Sequence, residues 1–306
     1  MRVAVIGTGF GQHAAAPAYA GLGFDVEVVS PRDEAAVKTA LASDVDLVSV
    51  HSPPFLHLQH VMRAIEHGRA VLCDKPFGRN AEEAVAMRDK ARDAGIPNFL
   101  NFEFRFNESW ARLKELADAG AIGTPRHLSW SFFGSGLRGR KPGWINDREL
   151  GGGWIGAYGS HLIDFTRHLF GSEIADCGGV TRTDLPGATA EDAYSAWFAM
   201  ANGGTATHDT GFAAAVPSPP SATLIGSEGT IELTADTTLV VRLAGADPET
   251  AEFAPPPRRS PPPALATFFA EVAEALRTGT RIAPSFDDGV AVAQVMDRLR
   301  ATAVHA

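Results

Sequence analysis

The run Arg2-Val-Ala-Val-Ile6 passes without a break into Gly7-Thr-Gly-Phe-Gly11. An apolar, β-branched run ending in closely spaced glycines turns a buried parallel strand abruptly into a helix. The first glycine permits the tight turn, and the second lets the backbone approach a pyrophosphate. That diphosphate then rests on the unsatisfied N–H groups and positive dipole end of the helix. A strict G-x-G-x-x-G would carry glycine at position 12, where the chain has Gln12, with Gly11 one place early. A plain strand–helix turn is the rival reading; the position straight after the opening strand favours a nucleotide site.

The first third of the chain repeats this alternation. Strand-like runs fall at Val3–Ile6, Val26–Val29, Leu47–Val50, Val71–Cys73 and Asn98–Asn101, with helical patterns around Ala14–Leu22, Ala35–Leu41, Leu58–Glu66 and Ala81–Ala94. Near-continuous apolar strands separated by amphipathic helices mean parallel βαβ units covered on both faces, with ligands expected at the carboxyl ends of the strands. Asn107–Ala119 reads as a further helix. After Pro125 alternating segments appear at His127–Phe133, Ala193–Met200, Thr205–Phe212, Ala222–Ile225, Thr230–Leu233 and Leu239–Leu243, the pattern of an antiparallel sheet with one face on a core. Helices are expected over His161–Phe170, Leu265–Leu276 and Gly289–Thr302, and the proline-rich Pro255–Pro263 reads as an extended loop. The expectation is an α/β nucleotide-binding domain over 1–121 and an α+β domain over 122–306, with the active site at their junction.

Composition excludes several partner classes. The apolar fraction of 45% and charged fraction of 21% are those of an ordinary globular protein. A net charge of −9 disfavours nucleic acid and anionic membrane surfaces. Cys73 and Cys177 lack any C-x-x-C or Cys/His spacing, so neither a disulfide framework nor a metal site is expected. No apolar stretch approaches bilayer length and no secretory segment is read ahead of the first strand, so the expectation is a soluble cytoplasmic protein acting on a small molecule.

Three clusters carry chemistry. At the end of the second strand stands Ser30-Pro31-Arg32, where a fold that prefers NAD usually has Asp or Glu on the adenosine ribose. Ser30 can donate a hydrogen bond to a 2′-phosphate and Arg32 can pair with it, which favours NADP, with NAD as the alternative. The fourth strand ends in Cys73-Asp74-Lys75-Pro76, and Lys75 is expected at the sheet's carboxyl edge, where a nicotinamide would arrive; an X-Pro bond there can be cis. A solvated surface lysine is the plainer reading. Glycines at 151, 152, 153, 156 and 159 then lead into His161, with Asp164 three residues on along the same helix face.

These segments together resemble the Gfo/Idh/MocA family (glucose–fructose oxidoreductase / inositol dehydrogenase). The likeness covers almost the whole chain: Gly7-Thr8-Gly9-Phe10-Gly11, Ser52-Pro53-Pro-Phe-Leu-His57, Asp74-Lys75-Pro76, Gly151-Gly-Gly153, Gly159-Ser-His-Leu-Ile-Asp164 and Pro284-Ser-Phe-Asp-Asp-Gly289. It implies a Rossmann doubly wound parallel sheet followed by a substrate-binding domain with a large open, mostly antiparallel sheet that pairs subunits into homodimers or homotetramers. It implies NAD(P)-dependent hydride transfer to or from a secondary alcohol or ketone of a sugar, cyclitol or other polyol. Lys75 and His161 then correspond to the catalytic pair, and Gly7, Thr8, Gly9, Phe10, Gly11, Ser52, Pro53, His57, Asp74 and Lys75, with Ser30 and Arg32, line the cofactor. Glu103, Arg105, Trp144, Trp154 and Asp164 are the candidates for the substrate side. Asp74 stands where the family has Glu, and Ala157 stands where a catalytic aspartate would share a helix face with His161. Asp164 or Glu103 could supply the missing carboxylate, with Arg105 binding an acidic group of the substrate. Alternatively His161 works alone, or hydride transfer is not the physiological reaction. That last branch leaves a redox-neutral enzyme with a tightly held cofactor (elimination or glycoside cleavage), or a non-catalytic NADP-binding protein.

Overall fold

The computed structural model describes residues 1–139, 143–255 and 262–306. The chain divides into two compact units, Met1–Phe106 with Pro256–Gln294, and Asn107–Pro255 with Val295–Ala306.

In the first unit the expected alternation is present: β1 (Arg2–Ile6), α1 (Ala16–Gly21), β2 (Asp25–Val29), α2 (Glu34–Ala42), β3 (Leu47–Val50), α3 (His57–Glu66), β4 (Ala70–Asp74), α4 (Ala81–Asp93) and β5 (Asn98–Asn101). The strands are all parallel, in the order β2-β1-β3-β4-β5. Because the order reverses at β1, the connections leaving β1 and β3 diverge and open a crevice at their carboxyl ends. Helices start where side chains satisfy free N–H groups: Asp33 accepts from Ala36 N at 3.0 Å to cap α2, and Asn80 accepts from Glu83 N at 2.9 Å to cap α4.

The second unit holds α5 (Glu108–Asp118), β6 (Pro125–Phe133), α6 (Ser160–Phe170), β7 (Ile174–Arg182), β8 (Ala193–Met200), β9 (Thr205–Gly211), β10 (Ser218–Gly226), β11 (Gly229–Thr234), β12 (Thr238–Leu243) and β13 (Glu249–Glu252). The chain then forms α7 (Pro263–Thr278), α8 (Phe286–Thr302) and β14 (Val304–His305). Nine strands make one sheet in the order β13-β12-β11-β10-β6-β9-β8-β7-β14. Neighbours are antiparallel except for β6 with β9 and β7 with β14. Trp110 of α5 packs on Trp130 of β6 at 4.3 Å and meets Phe165 of α6 edge-on at 4.8 Å, which fixes α6 relative to the sheet.

Where the division departs from the sequence expectation, packing is the reason. One face of the parallel sheet, with Val3, Val5, Leu47, Leu72 and Phe99, is covered by Tyr19 and by Leu265, Phe268, Phe269 and Val272 of α7. Tyr19 and Phe269 stack at 4.0 Å. Burying each such ring stabilises by roughly 2–3 kcal/mol, enough to hold a sequence-distant helix on this sheet. So α7 belongs to the first unit and α5 to the second, whereas a single cut at 121/122 was expected. The strands β7, β13 and β14 were not anticipated: Gly178-Gly179 interrupts the alternation of β7, and the other two are short and polar. Residues 256–261 of the expected proline-rich loop lie outside the described residues. Both cysteines are buried and free. Among the described residues no helix is long and apolar enough to cross a membrane, and no cluster of His, Cys, Asp and Glu is arranged to hold a metal ion.

Candidate active site

The glycine turn sits at the crevice. Gly7 N donates to Val29 O at 3.0 Å, tying the turn to β2. A Cβ on Gly7 would lie 2.6 Å from the carbonyl oxygen of His51, and one on Gly11 would lie 3.0 Å from the His51 Cβ. Gly7 is therefore demanded by close approach of the backbone leaving β3, while a side chain at Gly11 would need His51 or Val5 to give by a few tenths of an ångström. Gly9 is different: a Cβ there meets nothing within 4 Å. No intramolecular contact requires glycine at 9, and the vacant side of the turn is the cradle a diphosphate needs. The carbonyl of Gly9 accepts from His13 N at 3.0 Å, so the N–H groups of the first turn have no helical acceptor, and no acidic residue stands there. Phe10, 39% exposed, projects beside the turn with its ring 5.7 Å from that of His51. These residues fit a dinucleotide.

At the end of β2, Ser30 Oγ accepts from Arg32 N at 3.3 Å, and the Arg32 side chain is exposed. Asp33, whose charge next door would oppose a phosphate, is committed to the cap of α2.

Beyond β3, Ser52 Oγ bonds His60 Nδ1 at 3.0 Å, and burial, aided by the neighbouring His57, pulls the His60 imidazole down to about 4. The His57 ring is fully buried, with Nε2 2.6 Å from Ser52 O and Nδ1 3.1 Å from Pro76 O. His57 was expected to line the cofactor. Burial holds the imidazole below its ordinary value, so it carries one N–H, which donates to one of these two carbonyls and leaves the ring wedged between the turns that carry them.

Lys75 follows β4, and the Lys75–Pro76 peptide is cis. Its backbone N donates to Asp74 Oδ1 at 2.9 Å, and Asn101 Nδ2 donates to the same oxygen at 3.1 Å. Asp74 Oδ2 accepts from His51 Nδ1 at 3.0 Å, while His51 Nε2 lies 2.9 Å from Ser49 Oγ, which lies 3.0 Å from Tyr19 OH. Burial raises the Asp74 carboxyl, and the His51 hydrogen bond, with the nearby His51 ring, the Lys75 ammonium and the His57 ring, more than offsets it, leaving it below its ordinary value. Asp74, expected against the cofactor, thus takes three donors from the protein itself. Ser49–His51–Asp74 has the order of a hydrolytic triad. Ser49 is fully buried beneath Tyr19, so no acyl substrate reaches it.

Glu103 begins the short turn after β5 and is 6% exposed. Burial pushes its carboxyl up to about 8, against the pull of the Lys75 ammonium and with the push of Asp74. A raised carboxyl binds its proton more tightly in the folded state. Its contribution to stability is full below the ordinary carboxylate range and is lost as pH rises through about 8. Wild-type protein should therefore lose about 3–5 kcal/mol of stability from this group between pH 5 and 8.5. Glu103→Gln should flatten that slope in thermal melts; an unchanged slope would place the loss elsewhere. Arg105, expected to meet an acidic substrate group, is 8% exposed in its side chain and paired with Asp288 at 2.8 Å.

In the second unit, His161 and Asp164 are both buried on α6, and Asp164 Oδ1 lies 3.8 Å from Arg167 Nη1, giving it a cationic partner on its own helix. Arg167 is further held by Glu173 at 2.6 and 2.7 Å. Ala157 lies on the one-turn helix Ile155–Gly159 leading into α6. The glycines before it serve chain-to-chain packing: a Cβ on Gly152 would collide with the carbonyls of Trp144, Ile145 and Asp147. Glu191 accepts from Arg300 Nη2 at 3.0 Å and from Ile155 N at 3.3 Å, and Arg300 also donates to Gly152 O at 3.0 Å. Trp154 was expected to stack on a sugar. It is 5% exposed, its Nε1 donates to Thr210 Oγ1, and Phe212 and Tyr158 stack on it at 4.4 and 5.0 Å, so it is a core residue. Trp144, in the turn Trp144–Asn146, is half-exposed. Sequence reasoning missed Tyr19, Ser49, His51, Asn101, Glu191 and Arg300. The one available signal was polar Ser49 and His51 at alternate positions of an otherwise apolar strand.

Comparison with known proteins bears on both units. Residues 1–102 match the model of the oxidoreductase family with an NAD-binding Rossmann fold, and residues 110–232 match the GFO/IDH/MocA C-terminal domain. An uncharacterized oxidoreductase of Synechocystis sp. is 34% identical over 191 residues, 56% of this chain and 52% of that protein. Levoglucosan dehydrogenase of Pseudarthrobacter phenanthrenivorans is 32% identical over 150 residues, 47% of this chain and 37% of that protein. The matches thus span about half or less of these curated relatives. The solved structure of levoglucosan dehydrogenase with NADH and levoglucosan superposes with a TM-score of 0.88 at 22% identity, over 99% of this chain and 96% of that one, a likeness of fold. With the parallel sheet, its glycine turn and the large second sheet all matched, the chain belongs to the Gfo/Idh/MocA oxidoreductase family.

Proposed function

We propose that the chain is an NADP-preferring oxidoreductase that interconverts a secondary alcohol and ketone on a sugar, cyclitol or related polyol. The carrying observation is the glycine turn at the β1/β3 crevice, open at Gly9, with Lys75 on the carboxyl edge of the same sheet. A nicotinamide dinucleotide, when bound, supplies or accepts the hydride. Gly7, Gly9 and Gly11 seat its diphosphate, with Thr8 and Phe10 at the turn and Ser52 and Pro53 after β3. The Lys75 ammonium stabilises the alkoxide-like oxygen of the substrate, and His161 exchanges the hydroxyl proton. Glu103, beside Lys75 in charge contact, is the carboxyl that compensates for Ala157: near neutral pH it gives or takes a proton at little cost. Names of relatives support the substrate class: levoglucosan dehydrogenase, inositol 2-dehydrogenase and D-glucoside 3-dehydrogenase all take sugars or cyclitols. The family's habit of pairing through the large sheet supports a homodimer or homotetramer.

NADP is favoured by Ser30 and the exposed Arg32, with Asp33 withdrawn into its cap. Arg32→Ala should weaken NADPH by about 10- to 100-fold, the worth of one charge-assisted contact of about 1.5–3 kcal/mol, and NADH by less than about threefold. Calorimetric titration with each nucleotide checks this, and equal losses would overturn the phosphate contact. Turnover itself is tested on a polyol and ketose panel with NADP: tight nucleotide binding without reduction of any member would favour a non-catalytic protein.

A further inference from the structure

We propose that His51 is a positioning residue that sets the place of Lys75 through Asp74, and that Ser49 and Tyr19 fix its working tautomer. The inference rests on the reading that Lys75 faces the nicotinamide.

Proton counting decides the direction of the chain. Asp74 Oδ2 can only accept, so His51 Nδ1, 3.0 Å away, carries the proton, and an imidazole with one N–H offers Nε2 as an acceptor. The Ser49 hydroxyl that serves Nε2 at 2.9 Å then accepts from the fully buried Tyr19 OH at 3.0 Å. The other tautomer would set a nitrogen lone pair against a carboxylate. Ser49 therefore does for His51 what a second partner does for any working histidine: by donating to Nε2 it keeps the proton on Nδ1.

Asp74 is the residue before Lys75, and its two oxygens take three donors: His51 Nδ1, the Lys75 backbone N and Asn101 Nδ2. A carboxylate held from three sides cannot rotate, so the backbone at 75 is fixed and the lysine stem leaves it in one direction. Without the His51 donor, a carboxylate exposed by only 13% loses one of its three partners. It would turn toward water, releasing the backbone N of Lys75. The same His51 is the floor of the glycine turn, touching the space that a Cβ at Gly7 or Gly11 would fill. One residue thus supports both the diphosphate cradle and the ammonium that follows β4.

The chain has five lysines, so reductive methylation with carbon-13 formaldehyde, which keeps the charge, gives few signals, and Lys75→Arg assigns the one from Lys75. In the wild type this signal should be single. His51→Leu should shift it by more than its linewidth or split it. His51→Asn, which keeps a donor near the Nδ1 position, should hold it within a linewidth of the wild type. Ser49→Ala should move it in the direction of His51→Leu. An unmoved Lys75 signal in folded His51→Leu overturns the proposal. Should that variant fail to fold, Ser49→Ala decides in the same way, a moved signal supporting the proposal and an unmoved one overturning it. NADPH tests the underlying reading separately. A wild-type Lys75 signal that ignores NADPH, while calorimetry detects binding, removes Lys75 from the nicotinamide and leaves the His51–Asp74 result to stand or fall by itself.

Discussion

Lys75→Ala should lower kcat about a thousandfold on any sugar or cyclitol the wild type turns over, with nucleotide affinity changed by less than about threefold and the melting temperature nearly unmoved. The reasoning is local. Lys75 is half-buried at the end of β4, and its backbone N donates to Asp74, a bond that the Ala variant keeps. Removing the ammonium therefore keeps this backbone tie to Asp74. What is lost is a fixed positive charge beside the oxygen that gains negative character as hydride leaves or arrives, worth about 4 kcal/mol in a site shielded from water. Glu103 sharpens the test, because the ammonium holds that carboxyl down against burial. In the Ala variant Glu103 should stay protonated to higher pH, moving any residual pH–rate step upward. Near-normal turnover in Lys75→Ala would remove Lys75 from the chemistry. Lys75→Arg keeps the charge and separates charge from placement, near-normal turnover there meaning that charge alone suffices and a large loss that its position matters.

Much of the first unit was legible because β1, β3, β4 and β5 are buried on both faces and leave little freedom of assignment. The runs Leu47–Val50 and Asn98–Asn101 end where β3 and β5 end, and the turn at Gly7 follows β1 directly. The allegiance of α7 was not legible. An apolar stripe at 265, 268, 269 and 272 says that a helix covers something, and only the fold says that it covers the parallel sheet. The strand β7 was hidden by its paired glycines, which lie against Trp197 and the backbone of Ser195 across the sheet.

Site residues divide along the same line. Residue type and spacing pointed correctly to where polar groups gather, and misjudged which of them are spent on the protein itself. Arg105 is paired with Asp288, nearly two hundred positions away, and Trp154 is walled in by Phe212. His57 sits between the carbonyls of Ser52 and Pro76, and Asp74 takes donors from His51, Lys75 and Asn101. Each of these depends on a partner distant in sequence, and periodicity carries no information about such partners. The relay from Tyr19 to Asp74 joins three segments of chain, and in sequence only the polar interruption of β3 at Ser49 hints at it.

Two neighbouring glycines should respond oppositely to one added methyl group, and the contrast locates the dinucleotide. In Gly7→Ala the new Cβ meets the backbone carbonyl of His51 at 2.6 Å and its carbon at 2.9 Å. Backbone at the end of a fully buried central strand cannot yield cheaply, so the variant should lose about 2–4 kcal/mol, a fall of roughly 5–10 °C in melting temperature. In Gly9→Ala the methyl enters open space, at a backbone angle outside the left-handed region. Its stability should stay within about 0.5 kcal/mol of the wild type, since nothing in the chain is displaced. If the diphosphate lies on this turn, that same open space is where it lies, and the methyl must push it off the first-turn N–H groups. NADPH and NADH should then both weaken by about 100-fold or more, some 2.7 kcal/mol, because the lost contacts belong to the part the two nucleotides share. Calorimetric melts and titrations on the pair of variants read both effects. A Gly9→Ala protein of normal stability that binds either nucleotide as the wild type does would mean that the turn holds no diphosphate. A Gly7→Ala protein of unchanged stability would mean that the end of β3 can move, and that the glycine there answers to a ligand rather than to His51.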